Sequence, residues 1–240
     1  MNLTFNNWSL ALDLNGGRIQ ELVHKGTKVF GMYHRFDGKV GNTHICAPSF
    51  DKEGQEKFGL PFHGYARTLQ WIAEKQTADT ISISTITPSS KMYPASLKIS
   101  QAFSLNEYFI HTVSLSHSFG KAIPVNIGIH YYWDTPKGWE KSSLNEEQLS
   151  TDIKTNGYMN LKKTNTIVFP HAKYELTSNG FRSAVLWTSF KVDNQGNKQF
   201  NNDFCCIEPV IEWPHFFGSE QSILHPGETI SASIQIKKVV

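Results

Sequence analysis

Cysteine is scarce in this chain: three residues of 240, two of them the adjacent Cys205 and Cys206. An odd set without a Cys-x-x-Cys pair excludes a disulfide framework and a cysteine-based metal site, and reads as reduced structural thiols. Charge of one sign is scarce too, since 23 Lys and Arg stand against 21 Asp and Glu with no block of like sign. The electrostatic footprint of a nucleic-acid binder or an anionic-membrane binder is therefore missing, and a small neutral ligand is the expectation. No apolar run is long enough to span a bilayer, and the segment from Met1 to Trp8 lacks the basic start and apolar core of a secretory signal. A cytoplasmic location is expected on that basis. Gly-x-Ser-x-Gly, a glycine-rich phosphate loop and His-Glu-x-x-His are all absent. Neither a repeat, a low-complexity tract nor a Pro/Gly/Ser linker breaks the chain, so residues 1–240 are read as one domain.

Helical periodicity is equally poor, and what stands in its place has period two. Leu97, Ile99, Gln101, Phe103 and Leu105 share one face, then Phe109, Val113 and Leu115, with Asn106-Glu107 between them as a turn. Asn15-Gly16-Gly17 separates Leu10, Leu12 and Leu14 from the run Arg18 to Val23, which predicts a second hairpin. Residues 80–87, 184–190 and 230–236 read as further strands, the last entered through His225-Pro-Gly-Glu228. Residues 140–154 hold the only candidate helix, with a loop as the alternative. Many short strands with turns between them predict an all-β fold, a large sandwich, rather than alternating strands and helices.

Three local clusters carry side chains suited to chemistry. Glu208 lies in the apolar run from Asp203 to Pro214. An unpaired buried carboxylate is costly, so it is expected to be paired, protonated or facing a cleft. Glu212 has the same strand parity but lies about 13 Å away if the chain is extended. That exceeds the carboxylate spacing of about 5–5.5 Å in retaining glycosidases and about 6.5–9.5 Å in inverting ones, unless Pro209 bends the strand. The second cluster runs from Pro124 to Asp134. Val125, Ile127, Ile129, Tyr131 and Trp133 fall on one face, and Asn126, Gly128, His130, Tyr132 and Asp134 on the other. That second face suits either a ligand surface, with Gly128 as a gap in the side-chain cover, or a plain polar strand face. In the third, Gly59 to Arg67, an extended chain aligns His63, Tyr65 and Arg67 on one side, whereas a turn at Pro61 and Gly64 leaves the histidine incidental. His111 and His117 sit about 20 Å apart along one strand face, too far to share a metal. His34, His44 and His171 lie in unrelated contexts and are read as structural. No metal site is expected.

Taken in order, these segments resemble the aldose 1-epimerase (galactose mutarotase-like) family, and within it the branch that includes hexose-6-phosphate mutarotases. The likeness runs through Asn15 to Leu22, Gly41 to Pro48, Leu60 to Arg67, Tyr93 to Leu97, Pro124 to Trp133, Phe204 to Pro209 and Leu224 to Glu228. It implies a galactose mutarotase-like supersandwich and interconversion of the α and β anomers of a monosaccharide or sugar phosphate by ring opening. Ring opening needs a base for the anomeric hydroxyl and an acid for the ring oxygen. On the family pattern Glu208 is the base, His130 the acid, and His63 holds the ring oxygen. Arg67, Tyr132 and Asp134 are expected to contact substrate, with Trp133 or Trp213 as other candidates for an aromatic wall. No cofactor is implied, and the oligomeric expectation is a monomer or a homodimer.

Two departures from the pattern stand out. Branch members that accept a sugar phosphate resemble Arg-Gly-Gly where this chain has Val40-Gly41-Asn42, so one arginine is missing; Arg35 and Lys39 are the nearby cations. The family also places a substrate-orienting aspartate between the second histidine and the glutamate, and residues 154–190 contain none, leaving Asp134 and Asp203. A carbohydrate-binding sandwich without turnover is therefore the alternative reading.

Overall fold

The alternation over residues 97–115 becomes a hairpin, Ala95–Leu105 paired antiparallel with Phe109–Gly120, alternate residues buried along most of both strands. The computed structural model describes residues 1–50 and 52–239. This hairpin sits in a nine-stranded sheet, flanked on one side by Thr80–Ile86 and on the other by Thr229–Lys238. The expected hairpin at Asn15-Gly16-Gly17 also forms, between Trp8–Asp13 and Arg18–His24. Behind the edge strand Asn2–Phe5, it stands in a second nine-stranded sheet that continues through Thr27–Phe30, Gly128–Asp134, Phe204–Val210, Ser183–Trp187 and Tyr158–Asn160. Pairing in both sheets is antiparallel, as the all-β reading requires.

Parity decides which residues hold the sheets together. Ile129, Tyr131, Trp133, Cys205 and Ile207 join Ile99, Phe103, Val113, Leu115 and Ile234 in one apolar cluster between the sheets. The opposite parity, with His130, Tyr132, Cys206 and Glu208, is buried as well, because segments outside the sheet's main path cover that face. Tyr33 and Phe204 pack with Tyr132 and Cys206 there, while Phe50 packs with Cys46 and Val210. A strand covered on both faces has no reason to alternate apolar and polar, which is why Phe204–Val210 is buried along its whole length.

Several local expectations are corrected. The gap at Gly128 is filled by protein: a Cβ there would run into the Phe50 ring, so the missing side chain admits Phe50 rather than a ligand. Gly128→Ala should therefore lose about 1–3 kcal/mol by overpacking, read from the urea midpoint, with part recovered when Phe50 is also cut to Ala. Of the two readings of the segment of His63, Tyr65 and Arg67, the turn is the one that forms, and its histidine is not incidental. His63 and Gly64 both have positive φ, the Gly64 amide bonds the Pro61 carbonyl, and a 3-10 turn covers Ala66–Thr68. A Cβ on Gly64 would strike the Ala47 carbonyl, so the close approach of these two segments requires glycine. Within residues 140–154 the helix is confined to Ser150–Thr155; Ser143–Leu144 and Glu147–Gln148 form a hairpin about Asn145 and Glu146, both at positive φ. A second helix, Lys52–Phe58, went unread because Gly54 weakens its pattern. Among the described residues, no helix is long and apolar enough to cross a membrane.

Candidate active site

The register of the second sheet brings distant side chains into one row. His44, on the strand His44–Cys46, stands opposite His130, and the pairings Gly128 with Val210 and Tyr131 with Ile207 put Glu208 opposite His130 on the other side. Val185 completes the row beyond Glu208. His130 Nε2 lies 3.4 Å from Glu208 Oε1, and the His44 and His130 ring centroids are 4.9 Å apart. His63 enters from its turn, with its ring centroid 5.8 Å from that of His130. These four groups line a cavity of about 690 Å³ walled by Phe50, Phe62, Trp187 and Trp213. Three histidines and a carboxylate thus converge from four segments.

Burial sets the protonation of the row. It pushes the Glu208 carboxyl well above the usual carboxylate range, against the pull of Arg35. It holds His130 well below the usual imidazole range, helped by repulsion from any charge on His44 or His63 and by the charges of Arg35 and Arg67. At 3.4 Å the two are close enough for a proton to pass from one to the other. His63 is lowered to about 4, first by burial and then by Arg67, against its bond to the Phe50 carbonyl. Its Nδ1 lies 2.7 Å from that oxygen, and a carbonyl only accepts. Nδ1 therefore carries the proton, and neutral His63 offers Nε2 as an acceptor.

The cavity is basic at its rim. Arg35, Lys39, Lys52 and Arg67 line it against Glu56 and Glu208. The Arg35 guanidinium lies 4.9 Å over the Trp187 ring and pairs with Asp37 at 2.9 Å. The two cations named for the missing family arginine, Arg35 and Lys39, both reach the cavity. Arg67 also reaches it, its backbone carbonyl held by Arg18 at 2.9 Å.

Other candidates do not. Tyr132 is fully buried behind the wall, stacked on His130 at 4.8 Å, so it supports that ring rather than lining the cavity. Asp134 has the right parity, yet it accepts a 2.6 Å hydrogen bond from Tyr33 and is not part of the lining. Trp133 faces the core and Trp213 the cavity. Glu212 pairs with Arg182 at 2.8 Å, away from Glu208. His44 was read as structural and belongs to the lining; only its cross-strand pairing with His130 marks it, and local sequence carries no trace of that.

Among the described residues one group has metal-donor character: His130, Cys206 and Glu208 bring one donor atom each within 4.8 Å of one another. A divalent cation there would have to displace the proton of a thiol that burial holds neutral, in the field of Arg35. The donor set fits a metal poorly.

The chain matches the family model for aldose 1-epimerase over residues 35–168, which takes in His63, Arg67 and His130. None of the curated protein sequences matches it. Among solved structures it is similar to a galactose mutarotase related enzyme from Lactobacillus acidophilus, with 13% identity and a TM-score of 0.78 over 100% of this chain and 97% of that one. A galactose mutarotase-like protein from Lactobacillus casei gives 13% and 0.78 over 99% of both chains. Another, from Clostridium acetobutylicum, gives 14% and 0.73 over 99% and 95%. Such identities speak to fold, and the fold they share is the one described above. With the family model covering more than half of its length, this chain belongs to the aldose 1-epimerase family and has the galactose mutarotase-like supersandwich fold.

Proposed function

We propose that the protein is a mutarotase that interconverts the α and β anomers of an aldose by acid–base ring opening. The observation that carries the reading is the row of Glu208 and His130, 3.4 Å apart, with His63 beside it on one cavity. Glu208, ionised, takes the proton of the anomeric hydroxyl. His130, protonated, gives one to the ring oxygen, and the C1–O5 bond breaks to leave the open aldehyde. After rotation about C1–C2, reclosure reverses both transfers. Burial favours the proton on Glu208 and a neutral His130, and moving that proton across 3.4 Å gives the charge state the reaction needs. His63 Nε2, an acceptor in the neutral ring that burial enforces, takes a hydrogen bond from a sugar hydroxyl. Freshly dissolved α-anomers of glucose, galactose and their 6-phosphates, followed by NMR, test the reading. Equilibration faster than buffer for at least one is expected; rates equal to buffer for all would reject it.

The four cations at the rim favour a substrate that carries an anion, and Arg67 is the one expected from sequence to contact substrate. A charge-assisted hydrogen bond contributes about 1.5–3 kcal/mol. Arg67→Met should therefore raise KM for a sugar 6-phosphate by about 10- to 100-fold while moving KM for the free sugar about twofold or less. Equal effects on both sugars would assign Arg67 to the sugar ring instead. The absence of aspartate among the described lining residues favours a second reading, a carbohydrate-binding protein of the same fold. Sugar binding without any acceleration of mutarotation would establish it.

A further inference from the structure

His44 carries a constraint that neither the acid–base pair nor the family match uses. Its Nδ1 lies 2.8 Å from the Asn42 carbonyl oxygen. A carbonyl only accepts, so Nδ1 must hold a proton. Burial, with any charge on His63 and the charges of Arg67 and Arg18 opposing a second proton, keeps the ring neutral. The single ring proton is thus committed to Asn42, and Nε2 is left as a lone pair. That atom is buried and has no hydrogen-bond partner among the described residues, although His44 lines the cavity. Buried polar groups are nearly always partnered, and an orphan acceptor can be satisfied only by a donor. Arg67, which also lines the cavity, makes no hydrogen bond to it.

We infer that His44 Nε2 accepts a hydrogen bond from one hydroxyl of the bound sugar and so decides which aldoses are turned over. The inference rests on the mutarotase reading and goes beyond it. The His44 and His130 rings stand 4.9 Å apart in adjacent strands, so the hydroxyl in question belongs to a carbon near the reacting end of the sugar. A site built to bond a hydroxyl rejects the analogue that lacks it far more strongly than an apolar site rejects an extra one. A cation or an ether oxygen at that position would fail for different reasons. The first brings charge into a basic cavity, and the second offers no proton.

The test is a cycle between protein and sugar. Once an aldose is found that the wild type equilibrates, its monodeoxy analogues are assayed with wild type, His44→Phe and His44→Gln. With wild type, one analogue should lose about 10- to 100-fold in kcat/KM, the effect of leaving one buried acceptor unpaired. His44→Phe should lose a similar factor on the parent sugar, mainly through KM, and nothing further on that one analogue. His44→Gln, which restores an acceptor oxygen, should recover part of the loss. If His44→Phe loses the same factor on every analogue, or nothing on the parent, the role given to His44 is wrong while the mutarotase reading stands. If the wild type neither binds nor equilibrates any aldose, both are wrong.

Discussion

Glu208→Gln is expected to abolish measurable mutarotation and to leave a folded protein that gains on the wild type in stability as pH rises. The amide keeps the shape of the carboxyl but neither takes a proton from the anomeric hydroxyl nor shares one with His130. The loss of a positioned proton-transfer group is about 10²–10⁴ in kcat. The stability half of the prediction follows from the direction of the Glu208 shift. The residue is 3% exposed, and burial raises its folded pKa above the ordinary 4.5. Above 4.5 the unfolded carboxyl has lost its proton while the folded one retains it, so wild-type stability declines with pH until the folded pKa is passed. Glutamine does not titrate. The difference between variant and wild type should therefore be flat below about pH 4.5 and grow in favour of the variant above it, read from urea midpoints at about pH 5 and about pH 8. A variant that loses about 3–5 kcal/mol at both pH values while retaining activity would mean that Glu208 is held as half of a structural ion pair.

Much of this site was legible one strand at a time, and its assembly was not. The alternation from Val125 to Asp134 puts His130 on the opposite face from Trp133, and the structure agrees, since Trp133 lies in the core and His130 lines the cavity. Glu208 was conspicuous as a carboxylate in an apolar strand. That it faces His130 depends on register between residues far apart in sequence, which no local pattern encodes. His44 illustrates the limit: in the segment His44-Ile-Cys46 nothing distinguishes it from a structural histidine until the strand is paired with Gly128–Asp134. Asp134 illustrates the converse. Its parity was right, but Tyr33, 101 residues away, takes its carboxylate. The basic rim escaped a reading by charge blocks because Arg35 and Lys39, Lys52, and Arg67 come from three separate segments that meet only in the fold.

A second large effect is expected in acid, away from the cavity. His111 is buried between the sheets, where its Nδ1 lies 3.0 Å from the Tyr131 hydroxyl and its Nε2 3.0 Å from Gln101 Oε1. Gln101 in turn donates to the Gly17 carbonyl at 2.8 Å, which fixes its amide with the oxygen toward the histidine. Nε2 therefore donates to Gln101 and Nδ1 accepts from Tyr131, so the neutral ring is fully satisfied and a second proton has no good place. Burial lowers its pKa from 6.5 to about 3. Below 6.5 the unfolded chain takes up a proton that the folded one refuses, so stability falls with pH through the interval down to about 3 and levels off below it. The full loss from this one residue is about 5 kcal/mol, comparable with the entire stability of an ordinary domain. His44, His63 and His130 are depressed as well and steepen the decline, while the raised Glu208 opposes it by up to one proton. Urea unfolding at pH values between about 7 and about 4.5 should show stability dropping by at least about 1.4 kcal/mol per pH unit in the middle of that range. Replacing the network with His111→Leu, Gln101→Leu and Tyr131→Phe together should flatten the slope by about one proton, because partners removed as a set leave few orphaned groups. An unchanged slope would mean that His111 titrates alike in the folded and unfolded chain, and the acid sensitivity would then belong to the cavity histidines alone.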